Sequence, residues 1–103
     1  MPYADPLTDD ELASALDGLP EWSRDGDLLR RSVKVGGFSQ AADLVRTVAE
    51  LADAANHHPD VHITGYRNVT FELTTHAAKN AITRRDTELA SEIDRLVGRI
   101  GAA

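Results

Sequence analysis

The chain has 103 residues, of which 17 are acidic and 11 basic, for a formal net charge of −6. This length predicts a single domain spanning residues 1–103. The negative charge argues against nucleic acid or an anionic membrane surface as a partner, because such binding depends on Lys and Arg. The absence of cysteine excludes disulfides, thiolate nucleophiles and zinc–thiolate sites. The amino terminus does not resemble a signal peptide and no apolar run could span a membrane, so we expect a soluble cytoplasmic protein.

A short helix and a hairpin are predicted in the first third of the chain. The helix covers Asp9–Asp17, and Thr8 with Glu11 has the spacing of a capping box at its start. The segment Trp22–Val35 predicts a β-hairpin, with Asp25-Gly26 as the turn because glycine tolerates the positive φ that such turns need.

A long second helix is predicted over Gln40–Asn56, with Ser39 as its N-cap. Its apolar residues recur at steps of three and four, as on the buried side of a helix. They are Ala41, Leu44, Val45, Val48, Ala49, Ala52 and Ala55. Pro59 cannot continue the helix and favours an extended conformation for the residue before it.

Two strands and a final helix are predicted in the second half. A short strand over Val61–Thr64 leads to a turn near Gly65, and a clear apolar–polar alternation over Asn68–Thr74 predicts a half-buried strand. The last helix starts after Thr83 and runs to about Ile100. The order α-β-β-α-β-β-α predicts an α+β fold, with a four-stranded antiparallel sheet and three helices packed on one face.

All four histidines lie between positions 57 and 76. An imidazole has an unperturbed pKa of about 6.5, so it can accept or donate a proton near neutrality. Each also has a structural explanation: His57 as a helix C-cap, His58 as a solvated loop residue, and His76 and His62 as polar strand residues. Because His57, His58 and His76 lie where elements end at loops, their clustering predicts a site for general acid–base chemistry.

Other kinds of site are less well supported. Three imidazoles can hold zinc with one position open for water. The chain lacks the H-E-x-x-H spacing, however, and adjacent residues such as His57 and His58 point to opposite sides of an extended chain. A metal-binding domain or metal-dependent hydrolase stays open as an alternative, but we predict no metal ligands. No Cys and no G-x-S-x-G elbow is present to serve as a nucleophile.

The histidines belong to a longer pattern of typed positions. Asp53 is followed after three residues by His57-His58-Pro59, after six more by Tyr66, after nine by His76 and after nine by Asp86. This pattern resembles that of the pterin-4a-carbinolamine dehydratases, and similar segments extend from about position 12 to position 93.

The resemblance implies both an activity and a site. The activity is dehydration of 4a-hydroxytetrahydropterin to quinonoid dihydropterin, the recycling step after aromatic amino acid hydroxylation, without metal or cofactor. The site implied is a pocket built around His57, His58 and His76. Trp22 would line its entrance, and Asp86 would support a histidine or the pterin. Homodimers or homotetramers are also implied, and some family members act instead as dimerisation partners of a transcription factor, which leaves a non-enzymatic binding module as the alternative function.

Several roles stay open. We hypothesise that His57 and His76 carry the proton transfers while His58 positions the ring. Asp86 follows Thr83 by three residues, so it is equally well explained as a cap of the last helix. Asp53 is expected to be a solvated helix residue, and Tyr66 to pack at its turn.

The loop after the third histidine departs from the family's usual pattern. Residues 77–81 contain none of the glycine that the family commonly has there. If a positive φ is needed in this loop, Asn80 or another non-glycine residue must adopt it.

Overall fold

Three helices and four strands make up the framework of residues 5–100, the part of the chain that the computed structural model describes. In chain order they are α1 (Asp9–Asp17), β1 (Ser23–Asp25), β2 (Leu28–Lys34), α2 (Phe38–Ala55), β3 (Asp60–Thr64), β4 (Asn68–Leu73) and α3 (Arg84–Ile100). The predicted fold class and element order are confirmed.

The sheet has the order β1-β2-β4-β3, and every neighbouring pair is antiparallel. The inward-facing apolar residues of the central strands β2 and β4 are fully buried, and they are Leu29, Val33, Val69, Phe71 and Leu73. Buried residues of α2 and α3 belong to the same core. The opposite face is polar, with Ser32 and Thr70 joined by a 2.8 Å hydrogen bond between their hydroxyl oxygens. The helices therefore cover one face, because only that face is apolar.

Capping and turn residues in the sequence placed most ends of helices and strands correctly. The positions predicted for the hairpin turn and for the N-cap of α2 were wrong by one and two residues. The capping box of Thr8 and Glu11 forms as expected. The hairpin pairs Asp25 with Leu28, so its central turn residues are Gly26 and Asp27 rather than Asp25 and Gly26. Gly26 has φ 59°, and glycine at the first central position is the pattern of a type II′ turn.

The N-cap predicted for the second helix was also wrong. Gly37, not Ser39, is the N-cap of α2, and its carbonyl accepts the hydrogen bond from the Ala41 N–H at 3.0 Å. Glycine is an acceptable N-cap residue because its extended backbone leaves the carbonyl free for the first helical bond. The helix consequently begins at Phe38, a residue that is 62% exposed.

Arg31 occupies an inward-facing position of β2 between two buried apolar residues. Its guanidinium pairs with Asp94 of α3, with 2.6 Å between Nη1 and Oδ1. The indole N–H of Trp22 donates to the same carboxylate oxygen at 2.7 Å. A carboxylate on α3 thus supplies the partner that a cation at an inward position requires.

The antiparallel pairing of β3 with β4 brings the histidine-bearing segments to one end of the sheet. Asp60, where β3 begins, is opposite Glu72, close to where β4 ends. The segment before β3 contains His57 and His58, and the segment after β4 contains His76. Residues separated by about 20 positions in the sequence therefore leave the sheet at the same end. Among residues 5–100, no helix is long and apolar enough to cross a bilayer.

Candidate functional site

His57 is positioned by the way α2 ends. Asn56 has the left-handed conformation, with φ 50° and ψ 43°, which Asn adopts more readily than most residues. The Asn56 N–H donates to the Asp53 carbonyl at 3.2 Å, and the His57 N–H donates to the Ala52 carbonyl at 3.1 Å. This pair of bonds is a Schellman motif. It reverses the chain at the helix end, and His57 is left only 8% exposed.

Asp86, in the first turn of α3, is the partner of His57. Its Oδ1 lies 2.6 Å from Nε2 of His57, and the residue is completely buried. Its other oxygen, Oδ2, accepts hydrogen bonds of 2.8 Å from the Thr83 backbone N–H and from the Thr75 hydroxyl. A buried carboxylate held by several donors is well satisfied, so its position is fixed from both sides.

Asp86 caps α3 and also contacts His57, while its part in a catalytic site stays a prediction. As a cap, its side chain accepts a hydrogen bond from the backbone N–H of Thr83, the residue just before α3. The Thr83 hydroxyl in turn accepts the Arg85 N–H at 3.2 Å. As a support, the same carboxylate contacts the imidazole of His57. The helix cap and the histidine partner use different oxygens, so neither function displaces the other.

Thr75 is part of this arrangement, and the sequence reasoning missed it. It is 1% exposed, and its hydroxyl lies 2.7 Å from the hydroxyl of Thr83. A signal was present in the alternation of β4, because positions 69, 71 and 73 face inward and position 75 continues that side. A polar residue at an inward position needs a buried partner, which here is Asp86.

His58 has a histidine–carboxylate contact of a different kind. Its Nε2 lies 3.0 Å from Oδ1 of Asp53, one helical turn back in α2. The two side chains are 58% and 78% exposed. Asp53 is therefore solvated, as expected, and the contact lies at the protein surface.

His76 lies in a tight loop. It begins a single 3-10 turn over His76–Ala78, and the loop is closed by a β-bridge between Thr75 and Ala81. Lys79 and Asn80 both have φ 59°, so non-glycine residues do supply the positive φ here. The Asn80 side-chain oxygen lies 2.6 Å from Nδ1 of His76, which is exposed.

Trp22 and Tyr66 occupy opposite environments. Trp22 is 5% exposed and belongs to the hydrophobic core, and its place at a pocket entrance stays a prediction. Tyr66 is 59% exposed and has φ 56°. The expectation that Tyr66 packs at its turn was wrong, because the residue is largely exposed.

The open face of the sheet carries a separate charged network. Glu72 lies 2.7 Å from Nη2 of Arg30 and 3.1 Å from Nε2 of His62. Its hydrogen bonds with Arg30 and then with His62 lower the pKa of Glu72 below its ordinary value. The bonds from Arg30 to Asp25 and to Glu72 raise the pKa of the guanidinium. This network gives His62 a partner outside the candidate site.

The structure thus joins His57 and Asp86 directly and places His58 and His76 at the same end of the sheet. Each of these two is hydrogen-bonded to a neighbour of its own. Within residues 5–100, no three His, Cys, Asp or Glu side chains are grouped to hold a metal ion. A cleft of about 580 Å³, bordered by Lys34, Gln40 and Arg67, involves the other end of β2, where none of the three histidines lies.

Comparison with known proteins points to one family. The model of the family "Pterin 4 alpha carbinolamine dehydratase" matches residues 5–96. A relative from Mycobacteroides abscessus is 48% identical over 93 residues, which is 90% of this chain and 97% of that protein. Another, from Nocardia farcinica, is 48% identical over 90 residues, or 87% and 93% of the two chains. Both are named provisionally as pterin-4-alpha-carbinolamine dehydratases.

Two solved structures are also similar. One is described as a transcriptional coactivator/pterin dehydratase from Brucella melitensis, with a TM-score of 0.80 and 29% identity, covering 87% of this chain and 96% of that one. The other is a pterin dehydratase-like protein described as a RuBisCO assembly factor in the alpha-carboxysome. It has a TM-score of 0.59 and 18% identity over 75% of this chain and 87% of that one, and it supports the fold alone.

Proposed function

Because the chain belongs to the pterin 4 alpha carbinolamine dehydratase family, a family of hydro-lyases, we propose that it converts a 4a-hydroxytetrahydropterin to quinonoid dihydropterin and water. The proposed setting is the cytoplasmic recycling of tetrahydrobiopterin after aromatic amino acid hydroxylation. The single observation that carries the proposal beyond family membership is the His57–Asp86 contact, because it fixes one imidazole of the three-histidine pattern in a buried setting.

The reaction needs two proton transfers and no oxidant or reductant. The bond between C4a and the hydroxyl oxygen breaks, and that oxygen leaves as water after receiving a proton. The N5–H bond loses its proton, and its electron pair forms the C4a=N5 double bond. One group must therefore donate a proton and another must accept one, which neutral and protonated imidazoles can do near pH 7.

We assign the proton transfers to His57 and His76, and the positioning of the pterin ring to His58. His57 is held by Asp86, so its ring has a defined orientation. His76 and His58 are exposed, which suits groups that must meet a substrate arriving from solvent. Trp22 is proposed as a wall of the pocket, and Asp86 as the support of His57. General acid–base assistance of this type accelerates a reaction by about 10²–10⁴-fold.

Stopped-flow ultraviolet absorbance of freshly prepared 4a-hydroxytetrahydropterin tests the proposal. We expect the wild-type protein to accelerate the decay over buffer, and His57→Ala and His76→Ala each to lose about 10²-fold or more of that acceleration. His62→Ala is the matched control, because His62 contacts Glu72 on the open face of the sheet and its loss should leave the rate unchanged. Full activity of both His57→Ala and His76→Ala would overturn the assignment.

The alternative function is a non-enzymatic dimerisation or regulatory module. The Brucella melitensis protein, 29% identical, combines coactivator and pterin dehydratase in its description. The same assay separates the two possibilities. Decay no faster than in buffer, with folded protein, would favour the binding module.

We also propose that the chain works as a homodimer or homotetramer. β3 is an edge strand of the sheet, and Ile63 on it is 36% exposed. Phe38, at the start of α2, is 62% exposed. Edge strands and exposed apolar groups are features that association covers. Light scattering coupled to size-exclusion chromatography measures the mass, and a mass of one chain, 11.2 kDa, at micromolar concentration would contradict this proposal.

A further inference from the structure

The hydroxyl of Thr75 lies at one end of a continuous chain of buried hydrogen bonds that reaches His57. It is 2.8 Å from Oδ2 of Asp86, whose Oδ1 is 2.6 Å from Nε2 of His57. All three residues are at most 8% exposed. We propose that Thr75 is a positioning residue that orients Asp86, so that His57 keeps its proton on Nε2 and presents Nδ1 to the substrate. This inference rests on the proposed function.

The direction of each hydrogen bond follows from the donors available. An ionised carboxylate only accepts, so with Asp86 in that form the Thr75 hydroxyl must donate its single proton to Oδ2. The 2.7 Å contact between the Thr75 and Thr83 hydroxyls then requires Thr83 to donate. The Thr83 oxygen in turn accepts the Arg85 N–H. The hydroxyl protons of Thr75 and Thr83 thus each have one acceptor, and both hydrogen bonds are donated in the direction of Asp86.

The tautomer of His57 also follows from the rule that an ionised carboxylate only accepts hydrogen bonds. Nε2 must carry a proton to form the 2.6 Å bond to a carboxylate oxygen that only accepts. In a neutral imidazole the other nitrogen is then an unprotonated acceptor. Because Nε2 is engaged with Asp86, Nδ1 is the ring nitrogen left to exchange a proton with a ligand.

Thr75 holds Oδ2 together with one backbone group, the Thr83 N–H. Without the hydroxyl, the carboxylate has a single donor at Oδ2 and can rotate about its Cβ–Cγ bond. Rotation changes the distance from Oδ1 to Nε2, on which the tautomer of His57 depends. The effect of Thr75 on turnover therefore passes through Asp86 and His57, which makes it a positioning residue.

Nitrogen-15 spectra of histidine-labelled protein test the proposal directly, because protonated and unprotonated ring nitrogens have well-separated shifts. We expect the neutral ring of wild-type His57 to show a protonated Nε2 and an unprotonated Nδ1. Thr75→Val should mix the two tautomers and lower kcat about tenfold with little change in KM, the order of effect for losing one hydrogen bond to a charged group. Thr75→Ser should restore both readouts.

Thr70→Val is the matched control. Thr70 lies in β4, and its hydroxyl contacts Ser32 on the open face of the sheet, so the His57 signals and kcat should stay as in wild type. A neutral His57 that carries its proton on Nδ1 instead of Nε2 in the wild type would overturn the proposal even if no variant folds. So would a wild-type His57 spectrum in Thr75→Val. If the predicted spectra are observed but no variant and no wild-type protein accelerates the dehydration, the positioning role stands and the proposed function fails.

Discussion

Two histidine–carboxylate pairs at the end of α2 show how strongly burial changes the meaning of the same contact. In the first pair, His57 and Asp86 are 9% and 0% exposed by side chain and lie 2.6 Å apart. In the second, His58 and Asp53 are 58% and 78% exposed and lie 3.0 Å apart. Both pairs join a ring Nε2 to a carboxylate Oδ1, and they begin at adjacent residues of the chain.

The difference is in what surrounds each carboxylate. Asp86 has donors at both oxygens, so its geometry is determined by the fold and is available to orient a reacting group. Exposed pairs gain little, because water competes for both partners and two side chains lose freedom. The buried pair is therefore the fixed part of the proposed site, and we expect the exposed histidine to be the part that adjusts to a substrate.

Removing the two carboxylates gives the largest predicted contrast. Asp86→Ala leaves a buried imidazole and the Thr83 N–H without their acceptor, so we expect the free energy of unfolding to fall by about 3–5 kcal/mol. Asp53→Ala should change it by less than about 0.5 kcal/mol, as for other surface substitutions. Urea unfolding at pH 7 measures both. Equal losses for the two variants would show that burial does not distinguish the pairs.

The third histidine–carboxylate pair, His62 with Glu72, is intermediate at 56% and 17% exposed. Arg30 and His62 lower the pKa of Glu72 from its ordinary value of 4.5. A depressed folded-state pKa contributes stability that is present above pH 4.5 and is lost as the pH falls through the folded value.

We therefore expect wild-type protein to be more stable than Glu72→Gln at pH 7, by a smaller margin than separates it from Asp86→Ala. That margin should shrink as the pH is lowered below 4.5. Urea unfolding of both proteins across this range is the measurement. A margin that stays constant on acidification would show that the Glu72 carboxylate does not provide the linkage.

The sequence predicted local features well because their causes are local. The capping box of Thr8 and Glu11 involves residues three apart and formed as expected. The alternation of β4 predicted its buried face, because side chains on successive strand residues point to opposite sides. The prediction of the N-cap of α2 failed because Ser and Gly differ there by only about a few tenths of a kcal/mol, and Gly37 takes the position.

The sequence identified several residues that make long-range contacts, but it did not show which of them touch each other. His57 and Asp86 were both candidates, yet they lie 29 positions apart, and no pattern indicates that they touch. Thr75 was missed because it resembled an ordinary strand-end residue, and its partner is on another element. The role of Asp86 stayed divided between cap and support for the same reason, since only the three-dimensional arrangement shows that one oxygen caps α3 and the other contacts His57.

The most direct test compares Asp86→Asn with Asp53→Asn in the stopped-flow assay of 4a-hydroxytetrahydropterin decay. Asparagine keeps the size of each side chain but replaces one acceptor oxygen by an NH2 donor group. In Asp86→Asn, one orientation of the amide places this donor against the Nε2 proton of His57. The other orientation places it against the donating hydroxyl of Thr75. We predict that Asp86→Asn loses at least about tenfold of the catalysed rate, and that Asp53→Asn loses much less. A wild-type rate for Asp86→Asn, with folding confirmed by urea unfolding, would contradict this prediction.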